Sequence, residues 1–249
     1  MRSAVRAGVS ALVLSFGAAR SLNAQATTST LDALVARAVT FAGGEARLRE
    51  LTALTWHGTA AVHVAGRDIT LGGFWQVQPP DSAVVATWEA SKGPDATRRL
   101  ILAGNGLWTQ RNGKLEALPP EMLADEQHQF YLYALIRALP LRDPQARLQP
   151  VANDSAGHQG LKVTREGRPD VTLHFDSDGR VCRVESQILD QAGKRTTQIM
   201  LLSGTMESNG VRWFRQLRIT RDAQPYFELE LKDLQALRRL DDPLLSTAR

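Results

Sequence analysis

Histidine, aspartate and cysteine crowd one short stretch, LHFDSDGRVCRVES (residues 173–186), which holds His174, Asp176, Asp178 and the only cysteine, Cys182. These are common metal ligands, and a cysteine can also act as a nucleophile. Spacing separates that chemistry from a plain turn. A calcium loop of the EF-hand type needs acids at positions one, three and five and glycine at six. Counting from Asp176, the fifth residue is Arg180 and the sixth is Val181. His174 and Asp176 would point to one side of a strand, but two ligands do not complete a metal site. Val171, Leu173 and Phe175 alternate with Thr172 and His174, which predicts a strand, and Asp-Ser-Asp-Gly has the composition of a hairpin turn. The expectation is a bend between strands, no metal, and Cys182 as a small buried hydrophobe.

The remaining histidines, His57, His63, His128 and His158, are scattered. The sequence has no H-E-x-x-H, G-x-S-x-G, P-loop, G-x-G-x-x-G or C-x-x-C pattern. No catalytic residue and no cofactor is expected. A hydrolase would have to bring His57 or His63 to distant acids in one pocket.

The N-terminus sets the compartment. Arg2 and Arg6 precede an apolar run at residues 7–19, and Ala24-Gln25-Ala26 is a small-x-small cleavage site, so residues 1–26 read as a secretory signal peptide. The run is well short of the ~20 residues that cross a bilayer. Cleavage would remove three arginines and no acid, taking Lys+Arg from 30 to 27 against 26 Asp+Glu. The near-neutral remainder argues against nucleic acid as a partner. A lone cysteine forms no internal disulfide, so stability must come from packing. Residues 27–249 read as one domain.

After Thr30, Leu31, Leu34, Val35, Ala38 and Val39 fall at helical spacing until Gly43-Gly44, and a short helix follows before residue 52. The period then becomes two. Strands at 54–64 and 69–77 are joined by Ala-Gly-Arg-Asp, and further strands are predicted at 82–90, 98–103, 107–111 and 114–118. Residues 120–139 break the β pattern with a helix; from Phe130 to Leu139 it is apolar on nearly every side, with Arg137 the one charge, so it must be covered on more than one face. Strands resume at 147–152, 160–165, 170–176, 180–189, 195–202, 211–220 and 226–234. The pattern is mainly β (α+β), an antiparallel meander of about twelve strands with two helical insertions. Apolar faces collect Trp56 and Val62, Ile69, Leu71 and Trp75, Val84 and Trp88, with Trp108 in the next hairpin. These residues either fill a core or line a cavity for a hydrophobic ligand, and nearby Gly58, Ala60, Gly72 and Gly73 would leave room and ease curvature.

This order of parts resembles the LolA-like superfamily of periplasmic lipoprotein carriers and outer-membrane lipoprotein-sorting proteins. The resemblance is carried by residues 36–62, the hairpin 173–186, the strand 209–220 and the closing segment 229–245. It implies a single strongly curved antiparallel sheet of about 11 strands, an open half-barrel, with an N-terminal helix and mid-chain lid helices. It also implies a non-enzymatic periplasmic carrier that holds a lipid or lipoprotein acyl chains against Trp56, Val62, Ile69, Leu71, Trp75, Val84, Trp88, Phe130 and Leu135. A membrane-associated handover partner and a monomeric state go with that reading, and Arg137 is the arginine placed to latch the lid. The alternative is a secreted interaction or sensor module with a filled core.

Overall fold

The computed structural model describes residues 30–64, 66–189 and 193–248, so the expected signal peptide lies outside the described residues. Helix α1 occupies residues 30–42 and ends at Gly43 and Gly44, both at positive φ. Helix α2 is Glu45–Glu50. Strands β1 (Ala53–Val64), β2 (Arg67–Gln78), β3 (Ser82–Glu89), β4 (Arg98–Ala103), β5 (Gly106–Arg111) and β6 (Lys114–Ala117) form the first meander. Helix α3 (Pro120–Ile136) begins with proline at its first position, where the missing N–H costs nothing.

The second meander has β7 (Arg147–Val151), β8 (Gln159–Thr164), β9 (Val171–Phe175), β10 (Val181–Leu189) and β11 (Arg195–Ser203). The hairpin β12 (Met206–Ser208) and β13 (Val211–Trp213) stands apart as its own small sheet. Then come β14 (Gln216–Arg221), β15 (Gln224–Leu231), β16 (Gln235–Leu237) and helix α4 (Pro243–Thr247). Asp242 caps α4 by accepting from the Leu244 N–H.

One antiparallel sheet runs β6-β5-β4-β3-β2-β1-β15-β14-β11-β10-β9-β8-β7, with β16 also paired to β1. It does not close, because β6 and β7 are its two edges. The count exceeds the expected eleven. The predicted strand 211–220 is split where Arg215 donates its N–H to Ser203 and accepts from Leu231, turning the chain from the small hairpin into the main sheet.

Pairing sets which side chains share a face, since residues directly opposite in an antiparallel sheet point the same way. Trp56 lies opposite Trp75, and Trp75 opposite Val85. The concave face therefore carries Leu54, Trp56 and Ala60 of β1, Trp75 and Val77 of β2, and Leu229 and Leu231 of β15, continuing through Leu217, Met200, Val184, Leu173 and Leu161. Helices α1 and α3 cover it, and Leu34, Val35, Ala38 and Val39 join Leu132 and Leu135 in one core. On the convex side Ala248, the C-cap of α4, packs against Val84, Ile101 and Ala103 in a smaller cluster.

Candidate functional site

The stretch at 173–186 is a hairpin. Asp176 accepts from the N–H groups of Asp178 and Arg180 and from the Arg180 guanidinium at 2.9 Å, and Gly179 supplies φ 90°. A Cβ on Gly179 would come within 2.9 Å of Arg37, so the turn is also where α1 seats. Cys182 is half-buried; burial and the nearby Asp176 and Asp154 carboxylates push its thiol up to about 11. It stays protonated at neutral pH and donates to the His174 carbonyl at 3.3 Å.

The other histidines split the parts of a hydrolytic triad among separate places. His57, His63 and His158 each hold an aspartate through Nδ1, to Asp233 at 2.8 Å, Asp68 at 2.7 Å and Asp154 at 2.9 Å. None of the three has a hydroxyl or thiol in hydrogen-bond contact among the described residues. His128 shares a 3.0 Å hydrogen bond with Ser186, but its Nδ1 is buried with no hydrogen-bond partner among the described residues. Burial, with the Arg168 charge adding to it, pushes this imidazole down to about 4.

The concave face under α3 is the feature with binding chemistry, and α3 meets it in two ways. Its C-terminal half, residues 130–136, is buried throughout. Tyr133 enters an aromatic cage: Trp213 lies edge-to-face at 5.8 Å, Trp56 at 6.4 Å, Phe130 at 5.8 Å and Phe214 at 6.1 Å. Trp56 stacks on Trp75 with centroids 6.3 Å apart and planes at 8°. Trp75 fits because glycine lies beneath it; a Cβ on Gly73 would sit 2.7 Å from the indole. Trp56 is 0 % exposed and Trp213 3 %, yet the indole N–H of each is buried without an acceptor among the described residues. Two unpaired donors inside an apolar cage are unusual, since leaving each unmade costs ~1–3 kcal/mol.

The helix ends at Arg137, which is 7 % exposed. Its guanidinium donates to the carbonyls of Thr52 (2.5 Å), Leu51 and Leu48 (3.4 Å), the last turn of α2 and the residues after it. Cations suit helix C-termini, and Arg can fork where Lys cannot. Burial lowers its pKa to about 10, still well above neutral.

The N-terminal half of α3 rests on polar groups. Gln127 donates to the Gly104 carbonyl at 3.2 Å, and Gln198 of β11 donates to Gln129 at 3.3 Å while accepting from Arg221 at 3.2 Å. Arg221 also lies 3.7 Å over the Tyr226 ring. Glu126, partly buried, makes no hydrogen bond or ion pair among the described residues. Burial and the neighbouring Asp125 push its carboxyl up to about 7, against the pull of Arg221 and Arg98.

Of the residues singled out in the sequence, Trp56, Trp75, Phe130 and Leu135 come together in this core. Val62, Ile69 and Leu71 share its face but lie half-buried toward the tip of the β1–β2 hairpin, where Val64 is 45 % exposed. Val84 and Trp88 are on the other face: Val84 lies opposite Gln76 and packs with the α4 cluster, and Trp88 covers Gly72. Period two was legible in β3, but its phase against β2 depends on the turn that pairs Gln78 with Ser82. Tyr133, Trp213 and Phe214 were missed as cage members. Tyr133 had a signal, as part of the apolar helix; Trp213 and Phe214 sat in what looked like a regular strand.

Beneath the C-terminal half of α3 the concave face is filled by these side chains. The space left between α1, α3 and β13, beside Ala38, Ile136 and Trp213, measures about 20 Å³, room for one water. No described helix is long and apolar enough to cross a membrane.

No protein-family model matches the chain, and no curated protein does. Solved structures match its fold. A DUF1329 family protein from Desulfovibrio piger superposes with a TM-score of 0.55 at 10% identity, covering 88% of this chain and 98% of that one. A putative outer membrane lipoprotein-sorting protein domain from Vibrio parahaemolyticus gives 0.53 at 10% identity over 86% and 97%. A LolA superfamily protein from Nitrosomonas europaea gives 0.51 at 12% identity over 84% and 96%. The chain has a LolA-like fold.

Proposed function

We propose that this protein is a periplasmic, monomeric carrier that holds a lipid or an acylated polypeptide non-covalently beneath α3, reaching its compartment by a signal peptide at residues 1–26. The observation that carries this reading is the pair of indole donors, Trp56 Nε1 and Trp213 Nε1, that find no acceptor among the described residues inside the apolar cage. An acyl chain entering in place of Tyr133 would give the cage an apolar occupant, and its ester or amide carbonyl would supply the acceptor both indoles lack. Each buried CH₂ contributes ~0.8 kcal/mol, so a long chain supplies about 10 kcal/mol against the cost of moving the helix. The route in lies at the N-terminal half of α3, which rests on polar side chains. No reaction, metal or cofactor enters this reading.

Native mass spectrometry of the mature chain with a palmitoyl lysophospholipid tests it. A saturable adduct, weakened by Trp213→Phe, which keeps an aromatic ring but removes the donor, is the expected result. A clean apo mass at every ligand concentration overturns it. The filled cage favours a second reading, an interaction module whose core admits no ligand, and that apo mass is the result it requires.

A further inference from the structure

Trp108, like Phe74 and Trp88, is an aromatic residue of the first meander that lies on the convex face outside the main core. It lies opposite Ile101, on the convex face, with its indole over Gly106; a Cβ there would fall 1.8 Å from Cη2 of the ring. The ring also packs against the cluster under α4, which fixes its position. Beside it opens a shallow depression of about 500 Å³, lined by Asp81, Ser82, Asn105 and Trp108 with the backbone of residues 103–106. That volume falls within the range of small-molecule sites.

Backbone and side chains of this depression differ in one respect. The backbone is tied down: Gly104 donates its N–H to the Asp81 carbonyl at 2.9 Å and accepts from Gln127 at 3.2 Å. The side chains of Asp81, Ser82 and Asn105 make no hydrogen bond or ion pair among the described residues. They present a carboxylate, a hydroxyl and an amide, so donors and acceptors both surround an aromatic wall. The lining holds one carboxylate and no cation, which disfavours phosphate and other anionic ligands. A molecule with an apolar C–H face and a rim of hydroxyl groups satisfies every part at once.

We infer that this depression binds a neutral or N-acetylated sugar ring, its C–H face on Trp108 and its hydroxyls on Asp81, Asn105 and Ser82. The site is on the opposite face from the α3 cage and does not rest on the carrier reading. Calorimetric titration of the full mature chain with an N-acetylglucosamine tetramer and with maltotetraose tests it. The expected result is saturable binding of at least one at millimolar Kd or tighter, with Asp81→Ala and Asn105→Ala each weakening it about tenfold, as loss of a hydrogen bond to a buried hydroxyl does. Trp108→Ala should abolish binding. Should that variant fail to fold, the two polar variants, which remove no packed atoms, still decide the matter. No heat from either sugar up to ~10 mM, or binding that Asp81→Ala and Asn105→Ala leave unchanged, overturns the inference.

Discussion

The two halves of α3 are held by different physics. Residues 130–136 are packed into rings and aliphatic side chains and are latched by Arg137 to the end of α2. Residues 120–129 stand on a seam of amides, a neutral histidine and a carboxyl with no partner among the described residues. Dispersion and burial in the first half do not depend on pH and are lost only when the cage is emptied. The seam's hydrogen bonds are individually worth ~1 kcal/mol, because water replaces them when the helix lifts. The helix is thus anchored at its C-terminal end and releasable at its N-terminal end, where α3 must move if anything is to enter.

Emptying the cage gives the largest expected effect. Trp56→Ala should lower unfolding stability by about 3–5 kcal/mol in a urea titration, the range for truncating a fully buried large aromatic; a loss under ~1 kcal/mol would mean the cage is not load-sharing. Removing the latch comes next. Arg137→Met strands the carbonyls of Leu48, Leu51 and Thr52 and should cost about 3 kcal/mol, with Arg137→Lys recovering only part, since an ammonium cannot fork to all of them.

The seam is probed through pH. The Glu126 carboxyl titrates near 7 in the folded state against an ordinary 4.5, so folded protein keeps a proton that unfolded chain releases. Its contribution is full below about pH 4.5 and is lost as pH rises toward 7. Glu126→Gln should therefore match the parent at pH 4 and exceed it by about 2 kcal/mol at pH 8, after discounting for its partial exposure. A constant difference across that window would remove Glu126 from the account. His128 runs the other way: held near 4 against 6.5, it lends stability that is present above pH 6.5 and lost as pH falls to 4. In Glu126→Gln that rise from pH 4 to 6.5 should stand out more steeply. The smallest effect is Gln127→Ala, under ~1 kcal/mol globally; amide exchange in that variant should quicken at residues 121–126 and leave 130–136 protected.

Much of this architecture was legible in the residues. Alternation at 54–64 and 69–77, Asn-Gly and Asp-Ser-Asp-Gly turns, and the proline at the head of α3 each report local backbone preferences that need no distant partner. The same locality showed that 173–186 is a turn and that a helix apolar on all sides at 130–136 must be buried. Three things were decided only in the tertiary structure. The phase of β3 depends on cross-strand pairing, and one residue of register sends Val84 and Trp88 to the convex face instead of beside Trp75. The break at Phe214–Arg215 depends on carbonyl and amide partners in β11 and β15, which turn an apparent strand into a corner that brings Trp213 to Tyr133. The choice between cavity and filled core depends on volume in three dimensions: period and composition say which residues face inward, while only their packed positions say how much space remains between them.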